Sequence, residues 1–284
     1  MEKIALVTDS TSDLNNDIIE KYNIHVLRLK VIYKDREYID GVTITSEEVF
    51  SNLAHEIPTT STPVVGDANA LFTQLEEQGY THVISVHISS GLSGTLNMID
   101  LAMKSHPKLT ACVFDSKALS LGCGALVIGC AEMIAKGKSY DEITKQLPAM
   151  REKISVFFVV DTLKYLIKGG RIGKVAGALG SIMDVKPIIS IGKDGIYYTY
   201  EKIRGKKQVF KRMLSIAKEK IEDGKAQVWV MHGNAAQEAK QLMEKLKTIP
   251  NISDLKLGSV GPVLGVHTGP GLLAFAVIQQ PFYK

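Results

Sequence analysis

The chain alternates short apolar runs with polar turns and helical segments, and this alternation restricts its fold more strongly than any single residue does. Residues 24–31 are one strand candidate, and runs rich in β-branched residues, at residues 4–7, 83–88 and 111–114, have the length of buried strands. Each of these runs is followed by a turn of Ser, Thr, Asp or Gly and then by a helical pattern. This repeat is typical of an α/β fold with a mostly parallel sheet flanked by helices, whose turns meet at one edge.

A different rhythm begins near Val156, where the apolar run VFFVV indicates a second unit. This unit contains a predicted hairpin at residues 188–191 and 196–200. Two amphipathic helices are predicted at residues 210–221 and 239–246, and two further strands at residues 227–231 and 272–278. We therefore expect two α/β domains, residues 1–155 with the parallel sheet and residues 156–284 with a mixed sheet. Residues 163–180, which are rich in glycine and are expected to lie between the two units, are the candidate segment for admitting a ligand.

The most chemically distinctive segment is SSGLSGT, at residues 89–95, between the strand at residues 83–88 and a helix. Hydroxyl groups and free backbone N–H groups at the start of a helix, beyond the carboxyl end of a strand, favour an anion. The sequence therefore predicts that something negatively charged binds at this turn.

The composition excludes several classes of protein. Hydrophobic residues make up 45% and charged residues 23%, as in soluble globular proteins, and the net charge of +4 is scattered, so we expect no nucleic-acid partner. The three cysteines lie in apolar surroundings without CxxC spacing, which favours a reducing cytoplasmic location over disulfides or zinc. The first apolar run is too short for a secretory signal, and glycines and prolines interrupt the uncharged residues 257–283. We therefore expect neither export nor a membrane-spanning segment.

Several polar or glycine-rich segments have a structural explanation beside a functional one. The turn DSTSD at residues 9–13 either caps a helix or belongs to a site, and TTSTP at residues 59–63 is either a solvated turn or a binding turn. His267, expected in a sharply turning loop, is either structural or functional. The glycines in the helix expected at residues 119–135 allow close approach either by another part of the chain or by an apolar ligand.

Two enzyme hypotheses stay open at this point. Ser93, Asp115 and His267 occur in the chain order of serine-dependent α/β-hydrolases or acyl-transfer enzymes, although GLSGT at residues 91–95 departs from the GxSxG elbow. A phosphotransfer enzyme could use Asp9 and Asp13 for magnesium. However, GGRIGK at residues 169–174 lacks the residues that a nucleotide-binding Walker loop requires.

Five motifs, in order along nearly the whole chain, together resemble the DegV family. They are TDSTSDL at residues 8–14, TTSTP at residues 59–63, SSGLSGT at residues 89–95, RIG at residues 171–173 and HTGPG at residues 267–271. The resemblance implies a bacterial lipid-binding carrier rather than an enzyme, with two α/β domains that enclose one long-chain fatty acid. It implies no cofactor and no metal, since the fatty acid itself is the ligand.

The resemblance also implies roles for individual residues. Thr60 and Ser93 match the hydroxyl residues that hold the fatty-acid carboxylate, and His267 matches the histidine that completes their hydrogen-bond network. Neighbouring residues expected to assist at the carboxylate are Ser61, Gly94 and Thr268.

Arg171 matches an exposed basic loop residue of the family. In members that work with a fatty acid kinase, this residue lies where the kinase meets the acyl phosphate. The resemblance therefore implies a fatty acid kinase as a partner, which phosphorylates the presented carboxylate and feeds phospholipid synthesis.

Overall fold

The computed structural model describes residues 2–178, 185–221 and 224–283, and it shows the predicted α/β architecture. The strands are β1 (Ile4–Asp9), β2 (Ile24–Leu27), β3 (Lys30–Ile32), β4 (Glu37–Ile39), β5 (Thr59–Ser61), β6 (His82–His87), β7 (Thr110–Asp115), β8 (Ile154–Val159), β9 (Val185–Ile191), β10 (Tyr197–Arg204), β11 (Ala226–Gly233), β12 (Ile252–Ser259) and β13 (Leu272–Gln279). The helices are α1 (Asn16–Lys21), α2 (Ser46–Asn52), α3 (Val65–Glu77), α4 (Thr95–Met103), α5 (Leu121–Ala135), α6 (Tyr140–Glu152), α7 (Lys164–Lys168), α8 (Lys206–Ile221), α9 (Ala236–Leu246) and α10 (Pro262–Thr268).

The first half is built on a parallel sheet with the strand order β2-β1-β6-β7. Leu6 on β1 pairs in register with Ile84 on β6, and both are buried. One face packs on α3 and α4, and the other packs on α5 and α6, which explains why these strands are apolar on both sides. The polar turns after β1, β6 and β7 therefore meet at one edge, as the sequence predicts.

One predicted strand is wrong in its extent. The sequence suggests a single strand over residues 24–31, but the structure divides this stretch into β2 and β3, which belong to different sheets. The division falls at Leu29, whose backbone N–H donates to Ser10 Oγ at 3.1 Å. Because this N–H bonds a side chain of the turn after β1, the chain leaves the parallel sheet there.

The second half is built on a mixed sheet with the order β10-β9-β8-β13-β11-β12. β11 and β12 run parallel, whereas the other neighbours are antiparallel, so the predicted hairpin and mixed sheet are confirmed. Helices α8 and α9 bury their apolar faces on one side of the sheet. The other side faces the first half of the chain. β8 begins at Ile154, and the domain boundary between residues 155 and 156 stays a prediction.

Apolar residues from both halves meet in the seam between the two sheets. Ile88, Leu92 and Leu119 come from the first half, and Phe158, Leu264 and Leu272 are among those from the second. This seam contains the candidate site. In the segment 163–180, residues 164–168 form α7, whereas residues 179–180 lie outside the described residues, so its opening role stays a prediction.

The glycines of α5 are explained by packing against the rest of the chain. A Cβ at Gly122 would lie 2.7 Å from a methyl of Val156, and one at Gly124 would lie 2.7 Å from the backbone oxygen of Ser12. A Cβ at Gly129 would lie 2.4 Å from the terminal methyl of Met150. Neighbouring chain segments therefore occupy the space beside these glycines, which supports the structural explanation.

A third, smaller sheet has the order β4-β3-β5 and lies against α2 and α10. Val31 on β3 packs in the same apolar cluster as Val263 and Val266 on α10. The small sheet therefore joins a helix of the second half to the first half.

Candidate functional site

His267 lies in the last turn of helix α10, so its predicted placement in a loop is wrong. Pro262 occupies the start of this helix, where its fixed φ angle suits the helix and its missing N–H removes no intrahelical hydrogen bond. Gly269 follows the helix with a φ of +69°, a conformation that L side chains rarely adopt, and its N–H donates to Gly265 O at 2.8 Å. This spacing of proline and glycine is a helix signal that the sequence does contain.

The imidazole of His267 is hydrogen bonded to the hydroxyl of Thr60, with 2.8 Å between Nε2 and Oγ1. Thr60 is the middle residue of β5 and pairs with Val31 on β3. Because side chains alternate along a strand, Thr60 faces α10 whereas Thr59 and Ser61 face the other way. One strand position therefore determines which hydroxyl meets the histidine.

His267 is neutral at physiological pH. The residue is 8% exposed, and burial, with the nearby positive Arg171 as a second cause, lowers the pKa of its imidazole to about 4. A neutral ring has one N–H and one acceptor nitrogen. If Nε2 carries the proton and donates to Thr60, the hydroxyl hydrogen of Thr60 is free to bond a ligand.

Ser93 is held at the beginning of α4 by the turn after β6. Its Oγ lies 2.9 Å from Thr95 Oγ1 and accepts the Thr95 N–H at 3.2 Å. Ser89 fixes the same turn, since its Oγ donates to Gly195 O at 2.8 Å. The turn is thereby attached to the second half of the chain, and Ser93 lines the same cavity as Thr60 and His267.

Arg171 is half-buried rather than exposed, which corrects the expectation from the sequence. Its Nε donates to Leu92 O at 3.1 Å and one terminal nitrogen donates to Gly169 O at 2.6 Å. The guanidinium therefore joins the serine turn to the loop after α7 and places a positive charge beside the cavity that also includes His267.

Two adjoining cavities run from these polar groups into the seam. The first, of about 30 Å³, has a polar end at Thr60, Ser93, Arg171 and His267. The second, also of about 30 Å³, has mainly apolar walls. Residues that line both are Leu119, Tyr197, Leu264 and Thr268. Each cavity has room for about one or two water molecules, so a longer ligand requires the lining side chains to move apart.

The structure does not bring all the predicted site residues to this cavity. Thr268 lines it, although its hydroxyl donates to Leu264 O at 2.9 Å. Ser61 lies on the other face of β5, with its hydroxyl donating to Thr62 O at 3.1 Å, and exposed Gly94 caps α4. Neither Ser61 nor Gly94 is among the residues that line it.

The residues of the hydrolase hypothesis do not form a relay. Ser93 bonds Thr95 and His267 bonds Thr60, while Asp115 accepts from Ser90 and pairs with Lys117 at 2.7 Å. Nothing in these contacts activates the Ser93 hydroxyl as a nucleophile.

A different Ser-His-Asp chain, which the sequence analysis missed, lies between β1 and β6. Ser85 Oγ is 2.6 Å from His87 Nε2, and His87 Nδ1 is 3.0 Å from Asp9 Oδ2. The two-residue spacing of Ser85 and His87, which puts both on one face of β6, was a usable signal. All three residues have no exposed surface, so no substrate reaches them and the chain of bonds stabilises the sheet.

Three larger hollows lie elsewhere among the described residues and have more charged linings. One, of about 280 Å³, lies beside α8 and includes Asp161, Lys186 and Glu238. A second, of about 240 Å³, lies between α5 and residues 280–283, and a third, of about 440 Å³, lies between Asp13 and β12. None of the three contains the residues predicted to bind the carboxylate, so we assign the candidate site to the apolar seam.

Within residues 2–178, 185–221 and 224–283, no group of three or more His, Cys, Asp or Glu side chains is arranged to hold a metal ion. No helix in those same ranges combines the length and the apolar character needed to cross a membrane.

Comparison with known proteins agrees with the motifs. A family model described as "Uncharacterised protein, DegV family" matches residues 3–280. A DegV domain-containing protein of Clostridium acetobutylicum is 51% identical over 99% of this chain and all of its own length.

Two solved structures have the same fold over almost the entire chain. A fatty acid binding DegV family protein from Streptococcus agalactiae has a TM-score of 0.92 at 33% identity, covering 99% of this chain and 100% of that one. DegV from Bacillus subtilis, described as a fatty acid binding protein, has a TM-score of 0.91 at 30% identity with the same coverage. These relatives are described as binding proteins, not as enzymes. The chain belongs to the DegV family.

Proposed function

We propose that this protein binds one long-chain fatty acid in the seam between its two sheets, with the carboxylate at Thr60 and Ser93. One observation carries the proposal: the Thr60–His267 pair and Ser93 lie at the polar end of a cavity that continues between apolar walls. The domain assignment, residues 1–155 and 156–284, belongs to the same proposal and places the ligand between two units.

Neutral donors suit a buried carboxylate. Removing a carboxylate from water costs several kcal/mol unless charge-assisted hydrogen bonds replace its hydration. Thr60 and Ser93 supply two hydroxyl donors, and the neutral His267 orients the first of them. Ser61, Gly94 and Thr268 remain predicted helpers, with Thr268 beside the cavity already.

The acyl chain supplies most of the affinity. Each buried methylene contributes about 0.8 kcal/mol, so the fourteen of hexadecanoic acid offer about 11 kcal/mol before ordering costs are subtracted. The lining side chains that must move apart include Leu119, Leu264 and Leu272, which can do so by changing rotamer. We therefore expect tight binding with slow release, so that a fatty acid stays bound during purification.

The finer part of the proposal concerns what happens to the bound acid. A fatty acid kinase would transfer a phosphoryl group from a nucleoside triphosphate to a carboxylate oxygen, which gives an acyl phosphate for phospholipid synthesis. Such a partner requires a cytoplasmic location. Arg171 borders the carboxylate cavity, and its charge favours the more negative product. Arg171→Gln should therefore reduce kinase-coupled turnover more than it reduces fatty-acid binding; equal losses would contradict this role.

Mass spectrometry of an organic extract of the purified protein tests the proposal. We expect one fatty acid per chain, and the stripped protein should bind added hexadecanoic acid. Thr60→Val combined with Ser93→Ala should weaken that binding about a hundredfold or more, since two hydrogen bonds to a charged group, each contributing about 1.5 kcal/mol or more, are lost. Thr59→Val, on the opposite face of β5, is the matched control and should bind like the unaltered protein. A protein that carries no fatty acid and binds none when it is added would refute the proposal.

A further inference from the structure

Two carboxyl groups from the first half of the chain, the partly buried Asp13 and the buried Asp40, hold the beginning of helix α10. The Gly261 N–H donates to Asp13 Oδ1 at 2.9 Å, and the Val263 N–H donates to Asp40 Oδ1 at 3.0 Å. These groups satisfy backbone donors that the first turn of a helix otherwise leaves without partners. Helix α10 thus depends for its first turn on residues from the other half of the chain.

Asp40 is itself fixed by its own backbone. It follows β4 directly, its N–H donates to Leu29 O at 3.0 Å, and its carbonyl oxygen accepts from an Arg28 guanidinium nitrogen at 2.9 Å. The residue is 2% exposed. Its carboxyl group therefore has little freedom to follow α10 if the helix moves.

The same small sheet contacts α10 at a second point. Asp40 directly follows β4 and is hydrogen bonded to Val263, whereas Thr60 lies on β5 and is hydrogen bonded to His267. Val263 and His267 are four residues apart, which is about one helical turn or about 6 Å of rise. The distance between the two contacts is therefore set by one turn of helix and by the hydrogen-bonded register of β4, β3 and β5.

We propose that Asp40 is a positioning residue of the fatty-acid site: it sets the position of α10 along the small sheet, so that His267 stays bonded to Thr60. This rests on the proposed function, since that bond orients the hydroxyl that meets the carboxylate. Asp13 supports the same end of the helix and also accepts the hydroxyl of Ser120, just before α5, at 2.5 Å.

The geometry leaves little tolerance at the far end of the helix. The His267–Thr60 separation is 2.8 Å, and a neutral hydrogen bond weakens strongly beyond about 3.5 Å. A slide or rotation of α10 by less than one ångström therefore breaks the bond. If Asp40 loses its carboxyl group, the buried Val263 N–H has no partner and α10 must move or admit water to satisfy it.

The test compares Asp40→Ala with Asp40→Asn, which keeps an Oδ1 acceptor for Val263. Long-range ¹H–¹⁵N NMR of the histidine rings reports the His267 tautomer and its bond to Thr60 in the ligand-free protein. We expect Asp40→Ala to shift the His267 nitrogen resonances and to weaken hexadecanoate binding about tenfold, and Asp40→Asn to restore both. Ser139→Ala, which removes the side-chain cap of helix α6 on the parallel sheet of the first half, is the control and should lower thermal stability without either change.

A double-mutant cycle separates positioning from general destabilisation. In a Thr60→Val background the His267–Thr60 bond is already absent, so Asp40→Ala should cost much less than tenfold in affinity. The proposal is overturned if Asp40→Ala leaves the His267 resonances unchanged, or if its effect on affinity is the same in both backgrounds. Should Asp40→Ala fail to fold, Asp40→Ser replaces it in both comparisons. The NMR result does not depend on ligand, so a protein that binds no fatty acid would refute the proposed function and leave the positioning of His267 by Asp40 still measurable.

Discussion

Replacing Gly169 by alanine should displace His267, because the backbone of Gly169 lies directly against the imidazole. A Cβ at this position would be 2.1 Å from His267 Nδ1 and 2.8 Å from Cε1. Ordinary contacts begin at 3.4 Å, so the separation from Nδ1 must grow by about 1.3 Å. The φ of Gly169 is −79°, which alanine adopts freely, so the effect is steric and not conformational.

The imidazole ring has Gly169 on its Nδ1 side and Thr60 on its Nε2 side, so it cannot move straight away from Gly169 without colliding with Thr60. It must turn instead, and turning breaks the 2.8 Å bond. Overpacking costs about 1–3 kcal/mol of unfolding free energy, and the lost hydrogen bond costs about 1 kcal/mol. We expect fatty-acid affinity to fall about tenfold, measured by displacement of a fluorescent fatty acid. Gly177→Ala is the control, since a Cβ there meets nothing within 4 Å. If Gly169→Ala kept the affinity and His267 resonances of the unaltered protein, the loop after α7 would have moved instead and the reasoning would be wrong.

Three further predictions concern stability and reactivity. The pKa of His267 in the folded protein, about 4, lies below its ordinary value of 6.5, so the unfolded state binds a proton first as the pH falls. The unfolding free energy is therefore at its full value above pH 6.5 and decreases by about 3 kcal/mol as the pH falls to 4. Urea unfolding of His267→Gln should show a flatter pH dependence in that window, and an unchanged slope would contradict this reasoning. Asp9→Ala should lower the unfolding free energy by about 3–5 kcal/mol, because the buried His87 ring and the backbone N–H groups of Thr11 and Ile88 lose their acceptor, and a loss below about 1 kcal/mol would show that this chain of bonds matters little. A fluorophosphonate probe should label neither Ser85, which is fully buried, nor Ser93, which lacks a base; covalent labelling of Ser93 would restore the hydrolase hypothesis, and labelling of Ser85 would contradict its inaccessibility.

The alternation of strands and polar turns was sufficient to predict the parallel sheet, because local spacing and topology agree in such folds. It was insufficient at Leu29, where a hydroxyl of a turn 19 residues earlier takes the backbone N–H and ends the strand. The glycines of α5 had two explanations in the sequence. Only the positions of Val156, Ser12 and Met150 decide between them.

The candidate site was predictable through its hydroxyl residues but not through the groups that hold them. Thr60 and Ser93 stand in recognisable motifs, whereas Asp40 is a single acidic residue in an ordinary turn. Its partner Val263 lies 223 residues further along the chain, and no local pattern connects them. His267 was placed in a loop because the glycines around it dominated the pattern, although Pro262 marked the start of a helix.

A crystal structure of the protein with hexadecanoic acid would locate the carboxylate and the acyl chain. We expect one carboxylate oxygen within about 3 Å of Thr60 Oγ1 and one within about 3 Å of Ser93 Oγ. His267 Nε2 should remain bonded to Thr60, and the acyl chain should run past Leu264 and Leu272 into the seam. A fatty acid bound elsewhere, with the Thr60 and Ser93 hydroxyls unengaged, would contradict the proposed site.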